Sequence, residues 1–432
     1  MSKEMKYSGI PWIGDIPRGW NAKRLKFSCK LFGRIGFRGY TADDLVDESE
    51  GAITLSPTNM NGIKLDFSKC SYLSWDKYYE SPEIMVETGD VLLVKTASVG
   101  KCSYVEHLPK ETTVNPQILV LKEHKDCSKF IAYLFQTSIG EAYIDTTKGG
   151  STIYTISQEK IGNYEFAFPS LAEQQKITSF LDRKCAEIDE MIALQEKIVE
   201  ELKAYKQSVI TEAVTNGLNP DAPMKDSGTD WIGEIPRHWE TIKFKALFQI
   251  KKIIAGELGY DVLSVTQQGL RVKDLSKNEG QVAQDYSKYQ LVDIDDFVMN
   301  HMDLLTGYID CATISGVTSP DYRTFVNRNQ TIAYNPYYLR IFQKCYKDKT
   351  FYHLGQGVSF LGRWRLPKEQ LNAFVLPLPS LEEQKAIADY LDTKCTEIDN
   401  LISVKLSKIN SLKEYKKSII YEYVTGKKEV TL

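Results

Sequence analysis

The sequence predicts an α+β protein built twice over: two α/β domains separated by two long helices packed as an antiparallel coiled coil, with an internal pseudo-twofold, circular repeat. Three observations lead there. The stretch Ser8-Gly9-Ile10-Pro11-Trp12-Ile13-Gly14-Asp15-Ile16-Pro17-Arg18-Gly19-Trp20 recurs 219 residues later as Ser227-Gly228-Thr229-Asp230-Trp231-Ile232-Gly233-Glu234-Ile235-Pro236-Arg237-His238-Trp239. A second block, Pro169 through Thr215, recurs 210 residues later as Pro379 through Thr425. Between the blocks lie short β-rich runs bounded by turn residues. A period this long is no solenoid repeat, so it marks tandem copies of a variable domain followed by a helix. The chain divides accordingly into 1–168, a helix at 169–215, a linker and second variable domain at 216–378, and a second helix at 379–432.

The helices are the clearest elements. Ser170-Leu171-Ala172-Glu173 and Ser380-Leu381-Glu382-Glu383 each follow a proline and have the S-x-x-E spacing of a capping box. No proline interrupts the chain before Pro220 in the first copy, and none follows in the second. A heptad seam runs through Ile177, Leu181, Ile188, Met191, Ile198, Leu202, Tyr205 and Val209, with Ile387, Leu391, Ile398, Leu401, Leu412, Tyr415 and Ile419 as its second-copy counterpart. It places Lys184, Lys394, Glu212 and Glu422 in the seam, where polar residues would fix register. Thr425 stands to Ser8 as Thr215 stands to Ser227, so the two chain ends are expected to meet. The variable domains, about 21–168 and 240–378, contain runs such as Val91-Leu92-Leu93-Val94, Ile118-Leu119-Val120-Leu121 and Phe297-Val298-Met299. They suit twisted, mainly antiparallel sheets.

Composition narrows the function. The 432 residues are 42% hydrophobic and 26% charged, the profile of a water-soluble globular chain. No apolar run approaches a membrane span, and the charged, Trp- and Pro-punctuated start lacks a secretory core, which reads as cytoplasmic. The eight cysteines form no C-x-x-C pair, which argues against a zinc ribbon or a disulfide framework. A formal net charge of −3 excludes a uniformly basic coat, so any nucleic-acid contact comes from local patches.

Catalytic motifs are missing. There is no G-x-x-x-x-G-K-[ST], G-x-S-x-G or H-E-x-x-H. Asn335-Pro336-Tyr337-Tyr338 approaches the Asn-Pro-Pro-Tyr loop of amino-methyltransferases, but its second proline and a suitably spaced glycine-rich turn are absent. His124 and Cys127 have no second ligand pair, so no metal is expected.

Binding features, in contrast, are duplicated. Between Ile16 and Ala42 lie Arg18, Lys23, Arg24, Lys26, Lys30, Arg34 and Arg38, with no acid, interleaved with Phe27, Phe32, Phe37 and Tyr40. Lys243, Lys245, Lys251 and Lys252 open the second domain, again without an acid through residue 256. Such stretches suit phosphate contact. Val114-Asn115-Pro116-Gln117 pairs by sequence with Val326-Asn327-Arg328-Asn329-Gln330. Lys148-Gly149-Gly150-Ser151-Thr152 pairs with Gly355-Gln356-Gly357-Val358-Ser359, which is followed by Arg363-Trp364-Arg365. Asn and Gln suit adenine, Arg and Lys guanine. The DNA-contact candidates are therefore Lys23, Arg24, Arg34, Arg38, Asn115, Gln117, Lys148, Ser151, Thr152, Lys243, Lys245, Asn327, Arg328, Gln330, Gln356, Ser359, Arg363 and Arg365.

The order of parts resembles the DNA-specificity subunit of type I restriction–modification systems. The resemblance rests on Ile-Pro-x-x-Trp at 16–20 and 235–239, Gly89-Asp90-Val91 leading to Gly100, and Pro169-Ser170-Leu171-Ala172-Glu173-Gln174, repeated as Pro379-Ser380-Leu381-Glu382-Glu383-Gln384. It implies two target-recognition domains, each reading half of a bipartite asymmetric site in double-stranded DNA, and helices that space them. It implies docking of two modification subunits on the helices, for which Glu173, Gln174, Glu383 and Gln384 are candidates, and of two motor–nuclease subunits. S-adenosylmethionine, ATP and Mg would belong to those partners, and this chain would bind no cofactor and catalyse nothing. The alternatives are a DNA methyltransferase or nuclease with a degenerate site, and a coiled-coil adaptor without sequence reading.

Overall fold

The computed structural model describes residues 4–11, 13–137, 154–274, 286–357 and 364–430. The chain forms two compact units, Met1–Glu196 with Ser407–Leu432, and Lys197–Leu406. Each unit thus combines one variable domain with a portion of both long helices. Those helices run over Leu171–Asn216 and Leu381–Val424. Ser380 closes both halves of its capping box, its N–H donating to Glu383 Oε2 at 3.2 Å and its Oγ accepting from Glu383 N at 3.2 Å. In the first helix Glu173 N donates to Ser170 Oγ at 3.4 Å.

Inside each unit the two helix segments run antiparallel. In the first unit Asp189 pairs with Lys416 at 2.6 Å, and the rings of Phe180 and Tyr423 lie 4.4 Å apart. In the second unit Lys206 pairs with Asp399 at 2.6 Å. These two ion pairs are the same contact under the 210-residue repeat, since Asp189 maps to Asp399 and Lys206 to Lys416.

The buried helix face corrects the expected seam by one residue at every second position. Leu181, Ile188 and Val209 are buried as expected, but Cys185, Ile192, Val199 and Ala213 complete the stripe. Met191 and Tyr205 are exposed instead, as are Leu401 and Tyr415 in the second helix. Lys184 and Lys394 consequently lie beside the seam and pair with Glu187 and Glu397 on their own helices. Glu212 is exposed and Glu422 pairs with Lys428, so none of the four fixes register. The physical reason is that Ile192 and Val199 are as apolar as Met191 and Ile198, so hydrophobicity leaves the phase ambiguous there, while Cys185 and Ala213 are more apolar than Lys184 and Glu212 and favour the observed face.

Each variable domain holds two four-stranded sheets. One is antiparallel throughout and has the same strand order in both copies. It runs Cys102–Tyr104, Val91–Val94, Ile118–Lys122, Lys30–Gly33 in the first unit. In the second it runs Ile309–Cys311, Phe297–Met299, Arg323–Asn327, Phe248–Lys251. The other sheet is built on one parallel pair, Thr112–Val114 with Gly51–Leu55, or Gly316–Thr318 with Val262–Thr266. Its flanking strands differ between copies. The first unit adds Ser71–Ser74 and Leu45–Val46 on one side of the pair, and the second adds Gly269–Val272 and Gln290–Val292 on opposite sides.

The invariant sheet joins the helix through a buried glutamine. Gln174, 1% exposed, accepts from Cys127 N at 2.8 Å and donates to Asp126 Oδ1 and Pro169 O. Gln384, 0% exposed, accepts from Tyr334 N at 2.8 Å and donates to Ile332 O and Pro379 O. Asp182 is held by Tyr133 and Lys129, and its repeat equivalent Asp392 by Arg340. Behind these contacts the second unit's core packs Trp239, Phe244, Phe248, Tyr337 and Tyr338 against Val214 and Leu391.

Each helix ends at a glycine with positive φ, packed on the tryptophan of the repeated motif. A Cβ on Gly217, at φ 77°, would meet Trp239 at 3.1 Å; one on Gly426, at φ 72°, would meet Pro17 at 2.5 Å and Trp20 at 3.2 Å. Lys427 Nζ also donates to Asp15 O at 2.7 Å. The expected meeting of distant parts of the chain is therefore present within the first unit. Among the described residues no helix is long and apolar enough to cross a membrane.

Candidate nucleic-acid interface

Strands Ile118–Lys122 and Arg323–Asn327 run toward the glutamine joint, so each invariant sheet has a helix-ward end and a distal end. This direction sorts the candidates.

Lys23, Arg24, Lys243, Lys245, Asn327, Arg328 and Gln330 lie away from the distal end. Lys23 pairs with Asp126 at 2.5 Å and its ammonium sits 4.6 Å from the Phe168 ring centre. Arg24 pairs with Glu165 across two strands at 3.3 Å. Asn327 Nδ2 donates to Ala333 O at 2.8 Å and to Asn335 Oδ1 at 2.9 Å. Arg328 donates to Lys245 O and to Gln249. Gln330, Lys243 and Lys245 are exposed.

Asn115, Gln117, Gln356 and Arg365 lie at the distal end. Asn115 Oδ1 accepts from Gln117 N at 3.0 Å, an Asx turn that links the two sheets of the first unit. Its counterpart by strand order is Ser319-Pro320-Asp321, where Asp321 N donates to Ser319 Oγ at 3.2 Å. The pairing of Asn115 with Asn327 by sequence is therefore corrected: they occupy opposite ends of equivalent strands. Gln356 and Arg365 are exposed and bridge through paired backbone hydrogen bonds of 2.9 and 3.0 Å.

Arg34 is also at this end, but inward. It is 6% exposed, and its guanidinium donates to Arg38 O, Ser81, Thr113 and Val114 O. Burial lowers its pKa from the ordinary arginine value. It is a brace between strands, since contact with a ligand would forfeit those bonds. Arg38 pairs with Glu83 at 3.5 Å. Lys148, Ser151, Thr152, Ser359 and Arg363 lie outside the described residues.

The docking candidates divide too. Gln174 and Gln384 are internal joints, which corrects their reading as partner-facing residues: a side chain bonded on both its oxygen and its nitrogen and shut from water has nothing to offer a partner. Glu383 accepts from His238 Nε2 at 2.8 Å and Trp239 Nε1 at 3.1 Å. Burial alone would raise its pKa, but the hydrogen bonds from His238, Trp239 and Ser380 hold it below the ordinary carboxylate value. Glu173, at the equivalent place, is half-buried.

Sequence reading missed Lys95, His301 and Arg323. The available signal was a cation directly after Val91-Leu92-Leu93-Val94, and another opening Thr324-Phe325-Val326. Among the described residues no group of His, Cys, Asp or Glu could hold a metal ion, and His124 Nε2 instead meets Leu121 O at 2.8 Å.

The family model for the type I restriction modification DNA specificity domain matches residues 59–204 and 236–413. The putative type I restriction enzyme MjaX specificity subunit of Methanocaldococcus jannaschii is 25% identical, covering 96% of this chain and 95% of its own length. The MjaVIII specificity subunit of the same organism is also 25% identical, over 95% and 93%. The EcoKI specificity subunit of Escherichia coli is 26% identical over 48% of this chain and 44% of its own. Among solved structures, a chain from a type I R-M system studied for complex assembly and conformational transition superposes with a TM-score of 0.68, at 14% identity over 95% of this chain and 98% of that one. The HsdS subunit of Thermoanaerobacter tengcongensis gives 0.50 at 14% identity, over 95% and 98%. With both repeats matched, the chain belongs to the family of type I restriction–modification specificity subunits, and its work is DNA recognition rather than catalysis.

Proposed function

We propose that each unit reads one half of a bipartite, asymmetric DNA target through the distal end of its sheets. The observation that supports this most is the duplication: both units keep the invariant sheet and its glutamine joint but differ in the sheet beyond it. A rigid part reused and a distal part altered is what two different half-sites require. Asn115 and Gln117 in the first unit, and Gln356 and Arg365 in the second, are the base-reading candidates within the described residues. Lys148, Ser151, Thr152, Ser359 and Arg363 remain candidates in the neighbouring loops.

The helices pair as an antiparallel coiled coil that spaces the half-sites. Two modification subunits dock on it, and two motor–nuclease subunits join in the cytoplasm. Each helix pair offers matching exposed apolar residues: Met191, Leu194 and Tyr415 in the first unit, Leu401, Val404 and Tyr205 in the second. Exposed apolar side chains at repeat-equivalent places suit two copies of one partner. S-adenosylmethionine, ATP and Mg enter with the partners.

Methylome sequencing of a host with the gene intact and deleted tests the reading. The expected result is one gapped, asymmetric adenine-methylation motif that vanishes on deletion. An unchanged methylome in a host whose modification subunit is active would overturn it.

A further inference from the structure

Several buried and half-buried lysines of the chain are matched by carboxylates. Lys251 pairs with Asp293 and Asp296, Lys122 with Asp90, Lys129 with Asp182, and Lys344 with Asp348. Each distal end holds, beside one equivalent backbone bridge, a cation without such a partner among the described residues.

In the first unit Lys95 follows strand Val91–Val94. Its amide donates to Gln117 O at 2.8 Å and its carbonyl accepts from Ile156 N at 3.0 Å, so its backbone is fixed from both sides. The ammonium is partly buried and, among the described residues, pairs with no carboxylate. Two residues on, Ala97 takes φ 66°, a left-handed conformation unfavourable for a residue with a Cβ. Its N–H donates a hydrogen bond to Tyr154 O at 2.9 Å, which helps hold it there.

The second unit repeats these backbone contacts, with Leu366 N donating to His301 O at 2.9 Å and Leu304 N to Trp364 O at 3.3 Å. Here the cation is Arg323, 8% exposed, which donates to Leu366 O at 3.1 Å and also has no carboxylate partner among the described residues. The exposed Arg365 lies close enough to add to burial in lowering the Arg323 pKa, to about 10. His301 is 5% exposed, and its buried Nδ1 has no partner among the described residues. Burial, then the two arginines, hold that imidazole neutral, with a pKa of about 3. Two neighbouring guanidiniums, opposed only by Glu369 beyond ion-pair distance, stand beside an imidazole nitrogen without a partner among the described residues, a setting that favours an anion.

We infer that each unit clamps one DNA backbone phosphate at this place, through Lys95 in the first unit and through Arg323 and Arg365 beside His301 in the second. The inference rests on the DNA-recognition reading. It assigns these residues to holding register rather than to reading bases, and it moves Arg365 from base reader to phosphate ligand.

The test uses the specificity chain assembled with its modification subunits, titrated with target and scrambled duplexes from about 0.05 to 0.3 M salt. Lys95→Gln and Arg365→Gln should each weaken binding to both duplexes roughly 3–10-fold and reduce the salt slope by about one, with the methylation motif unchanged. Lys95→Arg, which keeps the charge, should retain the slope and controls for folding. Unchanged affinity and slope in both glutamine variants would overturn the clamp while leaving the recognition reading intact. A relaxed preference at one base position would make the residue a base reader and also overturn it. If the unaltered complex fails to distinguish target from scrambled duplex, the recognition reading falls and the clamp falls with it.

Discussion

The two sheets of each variable domain have fared differently under duplication. The invariant sheet keeps its strand order, its direction and its glutamine joint, although its helix contacts have changed chemistry, from Tyr133 and Lys129 on Asp182 to Arg340 on Asp392. The second sheet keeps only its parallel pair and adds strands to different sides. Position is preserved where a domain must meet a helix. Topology is free to vary where nothing but a ligand needs to fit. The same contrast holds for the tryptophan joint. Helix and motif are 22 residues apart in the second unit, Gly217 to Trp239, yet in the first unit Gly426 reaches Trp20 from the far end of the chain.

The largest effect should come from exchanging a whole variable domain. Replacing residues 21–168 with the matching region of a relative should change one half of the methylation motif completely and leave the other untouched, as read by sequencing modified adenines. A change in both halves would mean that the units do not recognise independently, and the fixed-versus-variable contrast would lose its functional sense.

Next in size is the glycine pair. Gly426→Ala places a Cβ against a proline ring in a left-handed backbone and should cost about 2–4 kcal/mol in the first unit. Gly217→Ala meets a ring atom of Trp239 at 3.1 Å, a tight contact but looser than that at Gly426, and should cost about 1–2 kcal/mol in the second. Hydrogen exchange resolved by unit reads both. Equal costs would indicate that the two joints are not packed as described.

The seam supplies a third, smaller test. Ile192→Ala empties a buried position and should destabilise the first unit by about 2–3 kcal/mol. Met191→Ala, one residue earlier and 43% exposed, should change stability by less than about 0.5 kcal/mol while weakening capture of the modification subunit. The reverse ranking would restore the phase that the heptad count alone suggests.

How far the sequence could be read follows from these particulars. The repeat, the helix starts and the helix lengths were legible because capping boxes and long proline-free runs are local signals. The seam phase was not, because Met191 and Ile192 are adjacent and both apolar. The match of Asn115 with Asn327 failed because a shared Val-Asn dipeptide carries no information on strand direction; the common feature of the two turns is a polar residue before Pro116 and Pro320. Gln174 and Gln384 read as surface residues since glutamine in a first helical turn is ordinarily solvated, and only the fold shows main-chain groups converging on them. Lys95 and Arg323 escaped notice because a missing counter-charge is a property of three-dimensional neighbourhood.

The smallest difference concerns the two tryptophans. Both are buried, and both lose packing volume when replaced by phenylalanine. The Trp239 indole N–H donates to Glu383 at 3.1 Å, whereas the buried Trp20 Nε1 has no hydrogen-bond partner among the described residues. Trp239→Phe therefore removes a hydrogen bond to a carboxylate and Trp20→Phe removes none. Loss of a hydrogen bond to a charged group costs about 1–2 kcal/mol beyond the packing, so Trp239→Phe should be the more damaging by that amount at neutral pH. Acid should erase the difference. The folded-state pKa of Glu383 lies below the ordinary carboxylate value, so its contribution is complete above that ordinary value and is lost as pH falls through the depressed one. Urea unfolding of both variants at pH 7 and near pH 3, followed unit by unit through hydrogen exchange, measures the gap and its closure. A gap that persists in acid would assign the asymmetry to packing around the ring rather than to the carboxylate.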